Sequence, residues 1–142
     1  LLRARQMRTD PSKFNHFMQV NAASILGFDA FRIFASAHVV HPMRRSVMVQ
    51  LFDDHRDEFV NNIHHRFRDL SQFLRQGLHN HACIKSGDVV IQTADDHVHV
   101  RSGQGLGDSP DELRDFLRRA VRAEIKFLCV NDLPQLETII AE

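Results

Sequence analysis

The stretch Ser109–Val130 constrains this chain more than any other. Ser109 fits a helix N-cap, Pro110 the first helical position, and Glu112 stands three residues after the serine, where a capping box requires it. Leu113, Phe116, Leu117, Ala120, Val121, Ile125 and Leu128 follow at helical spacing. Arg114, Arg118, Arg122 and Lys126 recur four apart on the other side, with Arg119 beside them. The spacing predicts one amphipathic helix running to Val130, so the rest of the chain must supply an apolar surface to receive its buried stripe.

Upstream, residues 1–9 with Arg3, Arg5 and Arg8 read as a basic arm, and residues 10–142 as a single globular domain. Asp10-Pro11 opens a helix whose apolar face holds Phe14, Phe17, Met18, Asn21, Ile25 and Leu26, and Gly27 stops it. Asp29 caps a second helix, burying Phe31, Phe34, Ala35, His38 and Val39, and Pro42 ends it. A third runs from Met43 through Val47, Met48, Leu51 and Phe52. A fourth opens on the acids Asp53, Asp54, Asp57 and Glu58, buries Phe59, Val60, Ile63, Phe67, Leu70 and Leu74, and stops at Gly77.

The pattern then changes period. Val89–Thr93 and His97–Arg101 flank Ala94-Asp95-Asp96, and the second run alternates, which predicts a β-hairpin whose valine face rests on helices. Residues 102–108 carry three glycines and read as a loop, while Leu136, Ile139 and Ile140 suggest a short closing helix. The expected fold is α+β and predominantly helical, with five or six helices and one β-hairpin packed on them.

With 18 basic and 18 acidic residues the chain offers a polyanion no long-range attraction as a whole, so such binding would need a local patch. No apolar run reaches the ~18 residues of a membrane span. Cys83 and Cys129 form no Cys-x-x-Cys pair; each sits in an apolar run, where a free buried thiol is the ordinary state, and a disulfide between them stays open. The expectation is a part of a larger intracellular protein, cytoplasmic or nuclear.

Ten histidines are the unusual feature of the composition. His97-x-His99 on a strand would point two imidazoles to one side, and His79-x-His81 lies upstream, so a transition metal is the candidate cofactor if these pairs converge. Otherwise no cofactor is expected. The order strand, Gly103-x-Gly105-x-Gly107, helix resembles a phosphate cradle, but Asp108, Asp111 and Glu112 would repel a phosphate there. Glu124-x-Lys126 matches the pair that metal-dependent nucleases place on a strand beside an upstream acid such as Asp88, Asp95 or Asp96. The helical period running through it argues against that chemistry, and a strand beside an aspartate would argue for it.

No complete catalytic set is present, which leans away from an enzyme. The favoured reading is a protein–protein interaction or assembly domain that binds a protein partner or a second copy of itself, as a dimer. The first alternative is nucleic-acid binding in a winged-helix-like arrangement, through Arg114, Arg118, Arg119, Arg122 and Lys126. The second is a metal or pH sensor built on His79, His81, His97 and His99.

Overall fold

The computed structural model describes residues 14–29, 31–36, 40–90, 96–100 and 110–131. The fold is α+β and predominantly helical, and its contacts divide the chain into two compact units. One comprises Leu1–Ser36 with His41–Val90, the other Ala37–Val40 with Ile91–Glu142.

The first unit holds four helices: α1 Phe14–Ile25, α2 Arg45–Asp54, α3 Arg56–His64 and α4 Arg75–Ser86. Ala22, Leu51, Phe59, Phe73 and Leu78 form its core, with Ile25, Leu26, Val47, Met48 and Ala82 packed around them. Phe59 stacks edge-on against both Phe52 and Phe73. The helix α1 stops as its glycine predicts. Gly27 takes φ 80°, its amide donates to Ser24 O (2.9 Å) and the Phe28 amide to Ala23 O (3.1 Å). Gly87 closes α4 in the same way at φ 75°, its neighbour Asp88 donating to Cys83 O at 2.9 Å. Both are Schellman ends, which satisfy carbonyls that the last turn leaves open.

Three expectations for this unit are corrected. Gly77 does not stop a helix; it lies inside α4, where an added Cβ would sit 3.3 Å from Ala22 Cβ. Its lack of a side chain lets α1 and α4 approach. The long helix from Asp53 to Leu74 is instead α3 followed by an irregular run. His55 breaks it from α2 at φ −130°, so Asp53 and Asp54 end α2 rather than start α3. Over 65–74 side-chain amides replace helical bonding: Asn21 Nδ2 donates to Leu70 O (2.7 Å) and Gln72 O (2.8 Å), and the Phe73 amide donates to Asn62 Oδ1 (2.7 Å). Residues 31–36 are not helical either. Asp29 starts a turn, Oδ1 accepting the Phe31 amide at 2.9 Å, and the following amides bond to side chains of other helices.

The second unit is a strand–helix–strand unit: β1 His97–Val100, α5 Pro110–Ala120 and β2 Phe127–Val130. The strands pair in parallel, His97 opposite Phe127 and Val100 opposite Val130. This corrects two expectations. The strand His97–Val100 pairs with Phe127–Val130 rather than with a hairpin neighbour, and Val89 and Val90 are not in a strand. The helix that starts at Pro110 ends at Ala120, not Val130. Phe127-Leu128-Cys129-Val130 fits a helical stripe and a strand equally well, and pairing with β1 decides it. α5 lies against β1, and Phe116 is its buried anchor. The basic arm 1–9, His38, residues 91–93, the glycine loop 102–108 and the closing helix at 136–140 lie outside the described residues.

Candidate functional site

A set of exposed apolar side chains in the first unit follows from how α2 and α3 are patterned. Each helix buries one large residue, Leu51 in α2 and Phe59 in α3, and turns others outward. Val49 and Phe52 are three apart on α2, and Val60 and Ile63 three apart on α3, so each pair shares a helix face. All four are exposed, as is Phe67, which follows the end of α3; Ile63 and Phe67 each keep 76% of their surface open. Arg56 stacks over the Phe52 ring at 5.5 Å and Arg66 over the Phe67 ring at 5.4 Å. Guanidinium groups over aromatic faces are the side chains that interfaces favour. Exposed Asp53, Asp54, Asp57 and Glu58 run along the same helix pair.

Beside it, α2 and α4 border a shallow cavity of about 520 Å³ with Leu26, Val47, Leu51 and Ala82 among its lining residues and Asp54, Lys85 and Asp88 at its polar margin. Lys85 donates to Leu26 O at 2.9 Å, which ties α4 to the end of α1. Arg44 reaches from the N-terminal side of α2 to Asp88 Oδ2 (3.1 Å) and to Cys83 Sγ (3.6 Å). The Ser86 hydroxyl (3.0 Å) and the Arg44 guanidinium hold the Asp88 carboxyl below its ordinary range, and Cys83 and Asp88 raise Arg44. The sign follows: a depressed carboxyl contributes stability above its unfolded pKa of ~3.9, and that contribution is lost as pH falls through the folded value. Asp88→Asn is therefore expected to flatten the fall of the thermal midpoint below about pH 4 while leaving its course above pH 5 parallel to the parent, read by circular dichroism melts.

His79 and His81 are both buried on α4, and each has a defined task. The Arg44 amide donates to His79 Nε2 (3.0 Å), and the Phe34 amide donates to His81 Nε2 (3.1 Å). Because Nε2 accepts, the proton of each neutral ring is on Nδ1; in His81 it is donated to Gly77 O at 2.7 Å. The lone pairs a metal would need are thus engaged by backbone amides. His97 and His99 belong to the other unit, on alternate positions of β1, where Asp96 Oδ1 lies 3.7 Å from His97 Nδ1. Among the described residues no group of three or more His, Cys, Asp or Glu side chains is placed to hold a metal ion. No signal in the sequence alone separates a buried histidine that accepts an amide from one that ligates.

The basic ridge is interrupted. Arg114 and Arg118 lie on α5, each paired at 2.9 Å with an acid three residues back, Asp111 and Asp115. Arg119 stacks over the Phe116 ring at 5.8 Å. Arg122 and Lys126 fall beyond the helix end, so the four-residue period does not run through them. The Lys126 amide donates to Asp96 O at 2.7 Å, and Lys126 Nζ lies 3.7 Å from Asp96 Oδ2. The strand condition for nuclease chemistry is not met: Lys126 lies beside Asp96 but directly before β2, and Glu124 lies two residues further back, both outside the sheet. Among the described residues Asp96 is the acid that pairs with Lys126, and Asp95 lies outside the described residues. As it stands, the Asp96–Lys126 pair clamps the start of β1 to the start of β2.

Cys83 is buried and Cys129 half-buried, and both are free thiols. Among the described residues no helix is long and apolar enough to cross a membrane. No family model matches the chain, and neither a curated protein nor a solved structure aligns with it.

Proposed function

We propose that the protein is a protein-interaction module that pairs with a second copy of itself through the outward side of α2 and α3. The carrying observation is the set Val49, Phe52, Val60, Ile63 and Phe67, large apolar side chains left open along one helix pair. Exposed large apolar side chains that recur at i, i+3 on two successive helices favour a contact face over the single exposed hydrophobes that any surface carries. The helix pair and the turn after it carry both charge signs, with Arg56 on α3 and Arg66 just beyond it, and Asp53, Asp54, Asp57 and Glu58 on the helices. A two-fold pairing sets each patch against its own copy, so arginines of one molecule meet acids of the other, which favours self-association over an arbitrary partner. Nucleic-acid binding draws less support, since Arg114 and Arg118 are neutralised by Asp111 and Asp115.

Sedimentation equilibrium across micromolar concentrations tests this. Burying Ile63 and Phe67 is worth about 1.5–3 kcal/mol each, so the pair Ile63→Ser and Phe67→Ser is expected to weaken dimerisation by about a hundredfold or more. Helix content should be unchanged, because neither side chain is in the core. A parent chain that stays monomeric throughout, or a double variant that dimerises as well as the parent, overturns the reading.

A further inference from the structure

Two backbone segments of the first unit, 31–36 and 41–44, are fastened to α4 by the same device, and the device can be undone by a proton. The Phe34 amide ends on His81 Nε2 at 3.1 Å and the Arg44 amide on His79 Nε2 at 3.0 Å. We infer that His79 and His81 form a proton-operated latch, which releases these segments from α4 on acidification while the helices stay packed. This goes beyond the interaction reading and does not depend on it.

The argument is one of donors and acceptors. A neutral imidazole has one bare nitrogen, and here that nitrogen accepts an amide in both rings. Protonation turns the acceptor into a donor facing another donor, so the bond is lost and two N–H groups oppose each other. It also places a charge where nothing compensates it. His81 is fully buried, with the rings of Phe28 and Phe34 edge-on at 4.9 and 6.1 Å, and its other nitrogen already faces Gly77 O. His79 faces Asn80 Oδ1 at 3.4 Å and Cys83 Sγ at 3.7 Å, with the cationic Arg44 bonded to that same sulfur. Asp88 is already held by Arg44. The neighbouring elements bring no buried acid: α1 has His16, α2 has Arg45, Asp53 and Asp54, and the turn before 31–36 has Asp29, all exposed, while the fastened segments carry exposed Arg32 and half-buried His41. A solvated imidazolium with its segment detached is therefore the stable protonated state.

Besides the rings, 41–44 keeps the Arg44 side chain on Asp88 Oδ2 (3.1 Å) and Cys83 Sγ (3.6 Å), whereas little else holds 31–36. Ser36 donates from its amide to Gln19 Oε1 at 2.7 Å, and Asn80 Nδ2 reaches the Ser36 hydroxyl at 3.4 Å. Phe31 is 96% exposed and contributes little burial. Opening would uncover the faces of Phe28 and Phe34 that now pack on His81.

The test is nitrogen NMR of the full chain from about pH 8 to about pH 5, a span that brackets ordinary imidazole titration. At the upper end both rings should show a protonated Nδ1 and a bare Nε2, with the Phe34 and Arg44 amides hydrogen-bonded. On acidification those two amides should lose their bonds as the rings take protons, while α1 and α4 amides remain protected. Below the ordinary imidazole pKa of ~6.5 the opening equilibrium should rise by up to about tenfold per pH unit for one ring and about a hundredfold when both act together, and it should stay nearly flat above it. In His81→Gln, a non-titrating acceptor, the Phe34 amide should stay bonded to lower pH. Should that variant not fold, the parent titration still decides. A protonated Nε2 at pH 8, amides that stay bonded to protonated rings, or helices lost at the same pH as the segments would overturn the inference.

Discussion

Replacing Gly77 by leucine is expected to lower the thermal midpoint of the first unit by roughly 8–16 °C. A bare Cβ at this position already comes within 3.3 Å of Ala22 Cβ and 3.7 Å of Leu74 Cβ. Ala22 and Leu78, on the two facing helices, are both fully buried, so extra atoms have no solvent to turn into. Overpacking of this kind costs about 3 kcal/mol where neither backbone can yield, and about 4–8 °C accompanies each kcal/mol in a unit of this size. Leucine gains about 1 kcal/mol of helix propensity over glycine, which reduces the loss without reversing it. Gly77→Ala is the informative control. Its single methyl needs a shift of a few tenths of an ångström, and the propensity gain offsets that, so it should melt within about 5 °C of the parent. A leucine variant that melts with the parent would mean that α1 and α4 do not meet at Gly77.

Asn21→Leu is expected to destabilise by about 2–4 kcal/mol and to do so locally. The side chain is nearly matched in volume, so the change removes two donors rather than packing. Asn21 Nδ2 bonds Leu70 O and Gln72 O, and the neighbouring Leu74 amide donates to Met18 O at 3.1 Å. These bonds hold an irregular run against α1, and each half-buried carbonyl left without a donor costs about 1–3 kcal/mol. Hydrogen exchange should show protection lost first across 65–74, with Phe73 exchanging early even though Asn62 still accepts its amide. The α2 amides should change least. Uniform loss of protection across all four helices would assign Asn21 a general packing role instead.

These two positions show where the sequence was legible and where it was not. The helix after Pro42 was readable because Val47, Met48 and Leu51 keep helical spacing, and α2 packs those residues on its core, whereas its end at His55 was not readable. The α1 end was readable because Gly27 takes the left-handed conformation that glycine tolerates best. Gly77 was misread for the opposite reason: a glycine used for close approach and a glycine used as a stop are identical in one dimension. Asn21 fell on an apolar face at the right spacing, yet nothing local revealed that its amide would replace a turn of helix fifty residues away.

The second unit makes the same point at the level of an element. Ile125 to Val130 continues the period of α5, and its apolar residues lack the alternation that marks a strand with one wet face. Parallel pairing with β1 is a long-range fact that no local window contains. For the candidate site, the apolar excess of residues 43–74 was visible in composition, whereas its division into buried Leu51 and Phe59 and exposed Phe52, Ile63 and Phe67 was not. The histidine pairs were visible too. Their role was not, because it depends on which nitrogen faces the Phe34 and Arg44 amides.

Pairing of the α2–α3 face with a second copy, as proposed above, has a signature that can be read residue by residue. Amide chemical shifts followed while a concentrated sample is diluted through the dimerisation range test it most directly. Concentration-dependent shifts are expected at Val49, Phe52, Val60, Ile63 and Phe67 and at the charged residues between them, with the α5 amides unmoved. Shifts confined to Arg114–Ala120, or none anywhere on dilution, would contradict it.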